Sequence, residues 1–254
     1  NMKPPFIIFI ALTLALTTVA IAESTTLRSL IAKGDIHDKR FEPNSALDYY
    51  LKAEKEAPKD ATLLVKIARQ YIYTMDKTSK KASKKEIAQT ALAYSKRAVA
   101  EAPTDCHSHL SLAICYGKLT PLVGTRERIA ISSKLKSAAE NAIQCDPSND
   151  YAWHLLGRWH QALAGVGGVT RSIAKLVYGT IPESSYGKAA ECFRKASSLN
   201  QNRLIHQIEL GRTYAAMGRT TDARTLIKRG LAMPNTEHDD PATKRRGRES
   251  LKEL

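Results

Sequence analysis

The chain has 254 residues, 43% hydrophobic and 25% charged, which is enough apolar material for one sizeable core and excludes a low-complexity disordered chain. Only 10 Pro and 13 Gly interrupt long Ala-, Leu-, Lys- and Glu-rich segments, so the composition predicts an all-α protein. A net charge of +14 at pH 7 points to acidic partners, whether protein tails, anionic lipid or nucleic acid, without choosing among them.

Residues 4–22 carry no charge, and they end in the small-x-small triplet Ala20-Ile21-Ala22. That is the layout of a secretory signal peptide cleaved before Glu23. The same stretch approaches the length of a membrane span, and Arg28, Lys33, Lys39 and Arg40 follow it while Lys3 alone precedes it. This asymmetry favours a retained anchor with the domain facing the cytosol. Both readings stand, export or a luminal location against anchoring, and residues 1–22 are set apart from the fold on either.

From Thr26 onward the chain shows a helical repeat. The first predicted helix places Leu30, Gly34 and His37 at the small-and-large spacing of a packing face, and the second supplies Ala46, Tyr50, Ala53 and Pro58. Leu64, Ile67, Ala68 and Tyr71 restart the pattern, followed by Ala91, Ser95, Ala98 and Pro103. His109, Leu112, Ala113 and Tyr116 begin a third unit, which Leu135, Ala138, Ala142 and Pro147 complete. The steps from Pro to Pro are 45 and 44 residues rather than the usual 34 or so, and the excess is expected between the paired helices, around Thr74–Lys85 and Gly117–Arg128.

Trp153, Leu156, Gly157 and His160 open the fourth unit within "YAWHLLGRWHQAL". After a long insertion come Ala189, Phe193 and Ala196. The last unit is uninterrupted, with Leu210, Gly211 and Tyr214, then Ala223, Ile227, Gly230 and Pro234. A final helix is expected from an Asp240 cap and Pro241. The expected fold is an all-α, tetratricopeptide-like right-handed solenoid of about five helix pairs over residues 23–236, with insertions between paired helices and a capping helix in 237–254.

The chemistry-bearing residues give little support to catalysis. "GVGGVT" (Gly165–Thr170) lacks the Gly-Lys-Ser/Thr ending of a phosphate loop. "CHSH" (Cys106–His109) opens a helix on which His109 holds a packing position, and "HDD" (His238–Asp240) reads as a loop feeding a helix cap. No metal or cofactor is expected. The four cysteines, Cys106, Cys115, Cys145 and Cys192, form no C-x-x-C pair and are expected to be reduced packing residues.

Binding is the stronger expectation. A helical solenoid presents a groove lined by its first helices, and Val65, Arg69, Leu110, Ile114, His154, Arg158, Ile208 and Arg212 hold the positions that face it. Arg69, Arg158 and Arg212 either grip carboxylates or phosphate of a partner or pair with nearby acids. Two basic clusters flank the groove: Lys77, Lys80, Lys81, Lys84 and Lys85, and Lys244, Arg245, Arg246 and Arg248. Without interleaved aromatics they do not favour single-stranded nucleic acid.

The segment from Tyr151, with its "LLGRW", its "LVYG-x-IP" insertion and the following "YGKAAECFRKASSLN", resembles the regulator of microtubule dynamics family from about Leu64 to the C-terminus. The resemblance implies a tetratricopeptide-like protein associated with microtubules and spindle poles. In some members it also implies a membrane anchor and phospholipid handling at organelle contact sites. It implies further that Trp159 packs under the long insertion. The expected function is therefore a non-catalytic adaptor with protein partners, tubulin among them, or alternatively a phospholipid-binding tether or an exported scaffold.

Overall fold

The computed structural model describes residues 26–167, 172 and 184–254, and among these every regular element is helical. The apolar N-terminal stretch and the centre of the long insertion, including "LVYGTIP", lie outside the described residues. Helix α1 spans 26–39 and is followed by α2 (Pro43–Glu56), α3 (Ala61–Thr74), α4 (Lys81–Glu101), α5 (Cys106–Leu119) and α6 (Thr125–Cys145). Beyond these lie α7 (Asp150–Ala164), α8 (Tyr186–Leu199), α9 (Leu204–Ala216), α10 (Thr220–Ala232) and α11 (Asp240–Lys252). Among the described residues no helix is long and apolar enough to cross a membrane.

Consecutive helices pack in pairs, each pair packs on the next, and the first helices α3, α5, α7 and α9 touch one another in series. Small residues make the close approaches possible. A Cβ on Gly34 would lie 2.3 Å from the Tyr50 ring, one on Gly157 2.9 Å from Phe193, and one on Gly211 2.7 Å from Ile227. In the second and third pairs Ala68 and Ala113 take that place and are fully buried.

The turns between pairs repeat a device of their own. Pro58, Pro103 and Pro147 each stand two residues before an N-cap, and Asp60, Asp105 and Asn149 accept from the backbone N–H of Leu63, Ser108 and Ala152. Trp153 Nε1–H donates to the carbonyl of Pro147 at 2.9 Å, and His109 Nε2 bonds the carbonyl of Pro103 at 2.7 Å. The Pro58 carbonyl is taken instead by Arg97 at 2.9 Å, where the large residue Leu64 has no donor. The six-residue spacing from Pro to the large residue therefore has a hydrogen-bonding cause as well as a packing one.

The extra length inside the second and third units is not mainly loop. Short 3₁₀ turns, Met75–Lys77 and Thr120–Leu122, follow the first helices. The second helices α4 and α6 then run for 21 residues against 14 for α3 and α5. Lys81, Lys84 and Lys85, expected in the insertion, thus begin α4.

One expectation is corrected. Cys106 and Cys145 are not reduced packing residues: they open α5 and close α6, and the pairing of these two helices brings their Cα atoms to 5.4 Å, where they form a disulfide. Cys115 and Cys192 are the buried free thiols. Trp159 Nε1–H reaches the Ser132 carbonyl and hydroxyl of α6 at 3.0 and 2.9 Å, and the centre of the long insertion expected over it lies outside the described residues.

Candidate functional site

The first helices line an apolar recess of about 240 Å³ that holds Val65 and Arg69 of α3 and Leu110 and Ile114 of α5. Ile205 of α9 and Glu237–Asp240 also line it. These last residues are firmly held. His238 stacks on Tyr73 with ring centroids 4.1 Å apart and meets Phe41 edge-on. Asp239 pairs with Lys118, and Asp240 accepts from the backbone N–H groups of Thr236 and Glu237. Asp240 therefore fixes the turn ahead of α11, while the N-cap position falls on Asp239.

The other expected groove residues are elsewhere. His154 and Ile208 are buried at 2% and 0% exposure because the C-terminal helices close over that end of the first-helix face. Gly247 of α11 brings its backbone so near that a Cβ would lie 3.2 Å from Ile208. His154 lies between Tyr151, Phe193 and His206. Its Nδ1 is 3.1 Å from His206 Nδ1, and His206 Nε2 is 2.7 Å from Asp150. Arg203 joins Asp150 to Glu237 at 2.7 and 2.9 Å.

This buried chain has defined electrostatics. Burial pushes the His154 imidazole well below the usual histidine range, and the neighbouring His206 and arginines push it the same way. Burial also lowers His206, although the Asp150 carboxylate opposes the shift. Burial alone would raise Asp150, but the His206 hydrogen bond and the Arg203 charge outweigh it and hold the carboxyl low.

Arg158 and Arg212 converge on one carboxylate. Glu209, fully buried, accepts from Arg158 at 2.6 Å and Arg212 at 2.8 Å on one oxygen, and from Arg246 at 3.3 Å on the other. Burial would raise this carboxyl, and the three guanidinium charges overcome it and keep it ionised. Arg69 pairs with Asp38.

The lysine cluster is the more open surface. Lys77, Lys80 and Lys81 are exposed, Lys84 is half-buried, and Lys85 lies 3.4 Å from Glu127. The second basic cluster divides: Arg245 and Arg248 are exposed, while Lys244 turns to the Met233 carbonyl and Arg246 to Glu209. Among the described residues, Asp76, His238 and Asp239 bring three potential ligand atoms within 4.8 Å of one another, but Asp239 is already shared with Lys118.

Sequence reasoning missed Glu209, the Asp150–His206–His154 chain and the disulfide. For Glu209 a signal was present: an acid between Ile208 and Leu210, on a helix whose flanking positions are apolar, with Arg212 one turn on.

Comparison with known proteins agrees with this architecture. A thermophilic TPR protein of Thermus thermophilus superposes with a TM-score of 0.63 at 17% identity, covering 89% of this chain and 98% of that one. The Pseudomonas aeruginosa protein PilF superposes with a TM-score of 0.56 at 13% identity, covering 92% of this chain and 93% of that one. At these identities the likeness is one of fold. Regulator of microtubule dynamics protein 1 of Bos taurus is 30% identical over 195 residues, 75% of this chain and 61% of the relative. The Mus musculus protein of that name is 29% identical over 195 residues, 75% of this chain and 64% of the relative. The chain thus spans less than two-thirds of the length of these curated relatives. Residues 28–254 match the family described as regulator of microtubule dynamics protein 1-3, and the chain belongs to that family.

Proposed function

We propose that the protein is a non-catalytic helical adaptor that binds the acidic tails of tubulin through the lysine surface at the start of α4. The observation that carries this reading is the position of those lysines on the helix. Lys80 stands at the N-cap without a side-chain capping bond, Lys81 follows it, and no acid occupies the first turn. Cations at a helix N-terminus oppose the macrodipole by roughly 0.3–1 kcal/mol each. A partner carboxylate there relieves that repulsion and meets the lysines together. The names of the relatives, regulators of microtubule dynamics, fit such a partner. Co-sedimentation at low ionic strength tests it: binding to intact microtubules that is lost once the acidic tails are removed is expected, and no binding at low salt contradicts it.

A second reading, an exported or luminal protein-binding scaffold, is favoured by the Cys106–Cys145 disulfide, since such bonds persist in oxidising compartments. Phospholipid binding has less support. The apolar recess, at about 240 Å³, is smaller than the roughly 300–1,000 Å³ of small-molecule sites.

A further inference from the structure

A second recess, of about 500 Å³, opens between α7, α9 and the end of α11. Arg158, Gln161, Tyr186, Arg212, Ser250 and Glu253 supply its polar lining. Each guanidinium carries five N–H donors. Arg158 gives one to Glu209, and Arg212 gives one to Glu209 and one to Ser250 Oγ at 3.1 Å. The buried Glu209 thereby fixes two guanidiniums side by side at the recess, with donors left over. Among the lining side chains two are cationic, Arg158 and Arg212, and one is anionic, Glu253. The hydroxyls of Tyr186 and Ser250 and the amide of Gln161, which also donates to Thr213, complete the lining.

We propose that this recess is a phosphate-monoester site, built to take the phosphorylated side chain of a partner peptide. Two guanidiniums held in a fixed relation suit an oxyanion carrying several acceptors and up to two negative charges. The apolar part of the lining is alanine, Gly165 and Leu254, with no long aliphatic rim to enter a bilayer. That favours a soluble phosphorylated segment over a membrane headgroup. The site is separate from the lysine surface of α4, so its success or failure leaves the tubulin reading untouched.

Arginine substitutions would uncover the buried Glu209 charge and unfold this end of the solenoid, so the test uses other positions on the lining. O-phospho-L-serine is titrated into the ¹⁵N-labelled protein, with L-serine and sulfate at matched ionic strength as comparisons, while the arginine Nε–H signals are followed. Saturable shifts with phosphoserine and weaker or absent shifts with serine and sulfate are expected. Ala216→Glu, which places a carboxylate on the exposed wall, is expected to weaken binding about tenfold or more, and Glu253→Gln to tighten it by roughly two- to fivefold. Both variants should stay folded, Ala216→Glu melting slightly lower because it adds a carboxylate at the C-terminal end of α9 and Glu253→Gln slightly higher because it removes one at the end of α11. Equal response to sulfate, no change in Ala216→Glu, or binding to phosphatidate vesicles without binding to phosphoserine would each overturn the proposal.

Discussion

Burial of His154 and His206 makes the stability of the C-terminal half sensitive to pH. His154 and His206 are held neutral inside the fold, with folded-state pKa values below the ordinary histidine range. Above about pH 6.5 the unfolded chain is also neutral at these positions, and the full stability is present. As pH falls below that, the unfolded chain takes up protons that the folded chain refuses, so stability declines. Denaturant titrations from about pH 7.5 to about pH 5 should show the loss, and His154→Phe should make it shallower. An unchanged midpoint across that range would mean that the imidazoles protonate in place. None of this was legible in the sequence, where His154 falls on the groove side of its helix. Its burial depends on α8 and α9 folding over it, which spacing along one helix does not reveal.

At the scale of elements, the repeat positions were legible because each one is a local steric demand. Gly157 against Phe193 and Gly211 against Ile227 are fixed by two helices and one short connection. The disulfide was not legible, because Cys106 and Cys145 are 39 residues apart and meet only once α5 and α6 pair. Closing a loop of that length should stabilise the chain by about 3–4 kcal/mol on a chain-entropy account. Denaturant unfolding of Cys106→Ser or Cys145→Ser against the parent measures it. The remaining thiols offer a second check. Burial pushes Cys115 up to about 12 and Cys192 up to about 11, so the native protein should react slowly with thiol reagents. Unfolding without reductant should release two thiols, Cys115 and Cys192, and a count of four would contradict the bond.

Across the whole molecule, the sequence carried the solenoid and the family but not the way the groove ends. The residues around His238 read as an approach to a capping helix. In the fold they line the apolar recess, held by Tyr73, Phe41 and Lys118. Groove positions taken from the repeat alone therefore fall into three environments: open recess at Val65 and Ile114, core at Ile208, and an arginine cluster at Arg158 and Arg212. Lys80 and Lys81 are exposed at the start of α4, and they stand where their own helix disfavours them. A surface kept only for solubility should lose nothing when that conflict is removed. One comparison decides the matter: the Lys81→Glu/Lys84→Glu variant against the parent, each measured for folding stability and for microtubule binding in the same buffer. The variant is expected to be more stable, by roughly 0.3–1 kcal/mol for each corrected charge, and to bind microtubules several-fold more weakly. Greater stability with undiminished binding would contradict it.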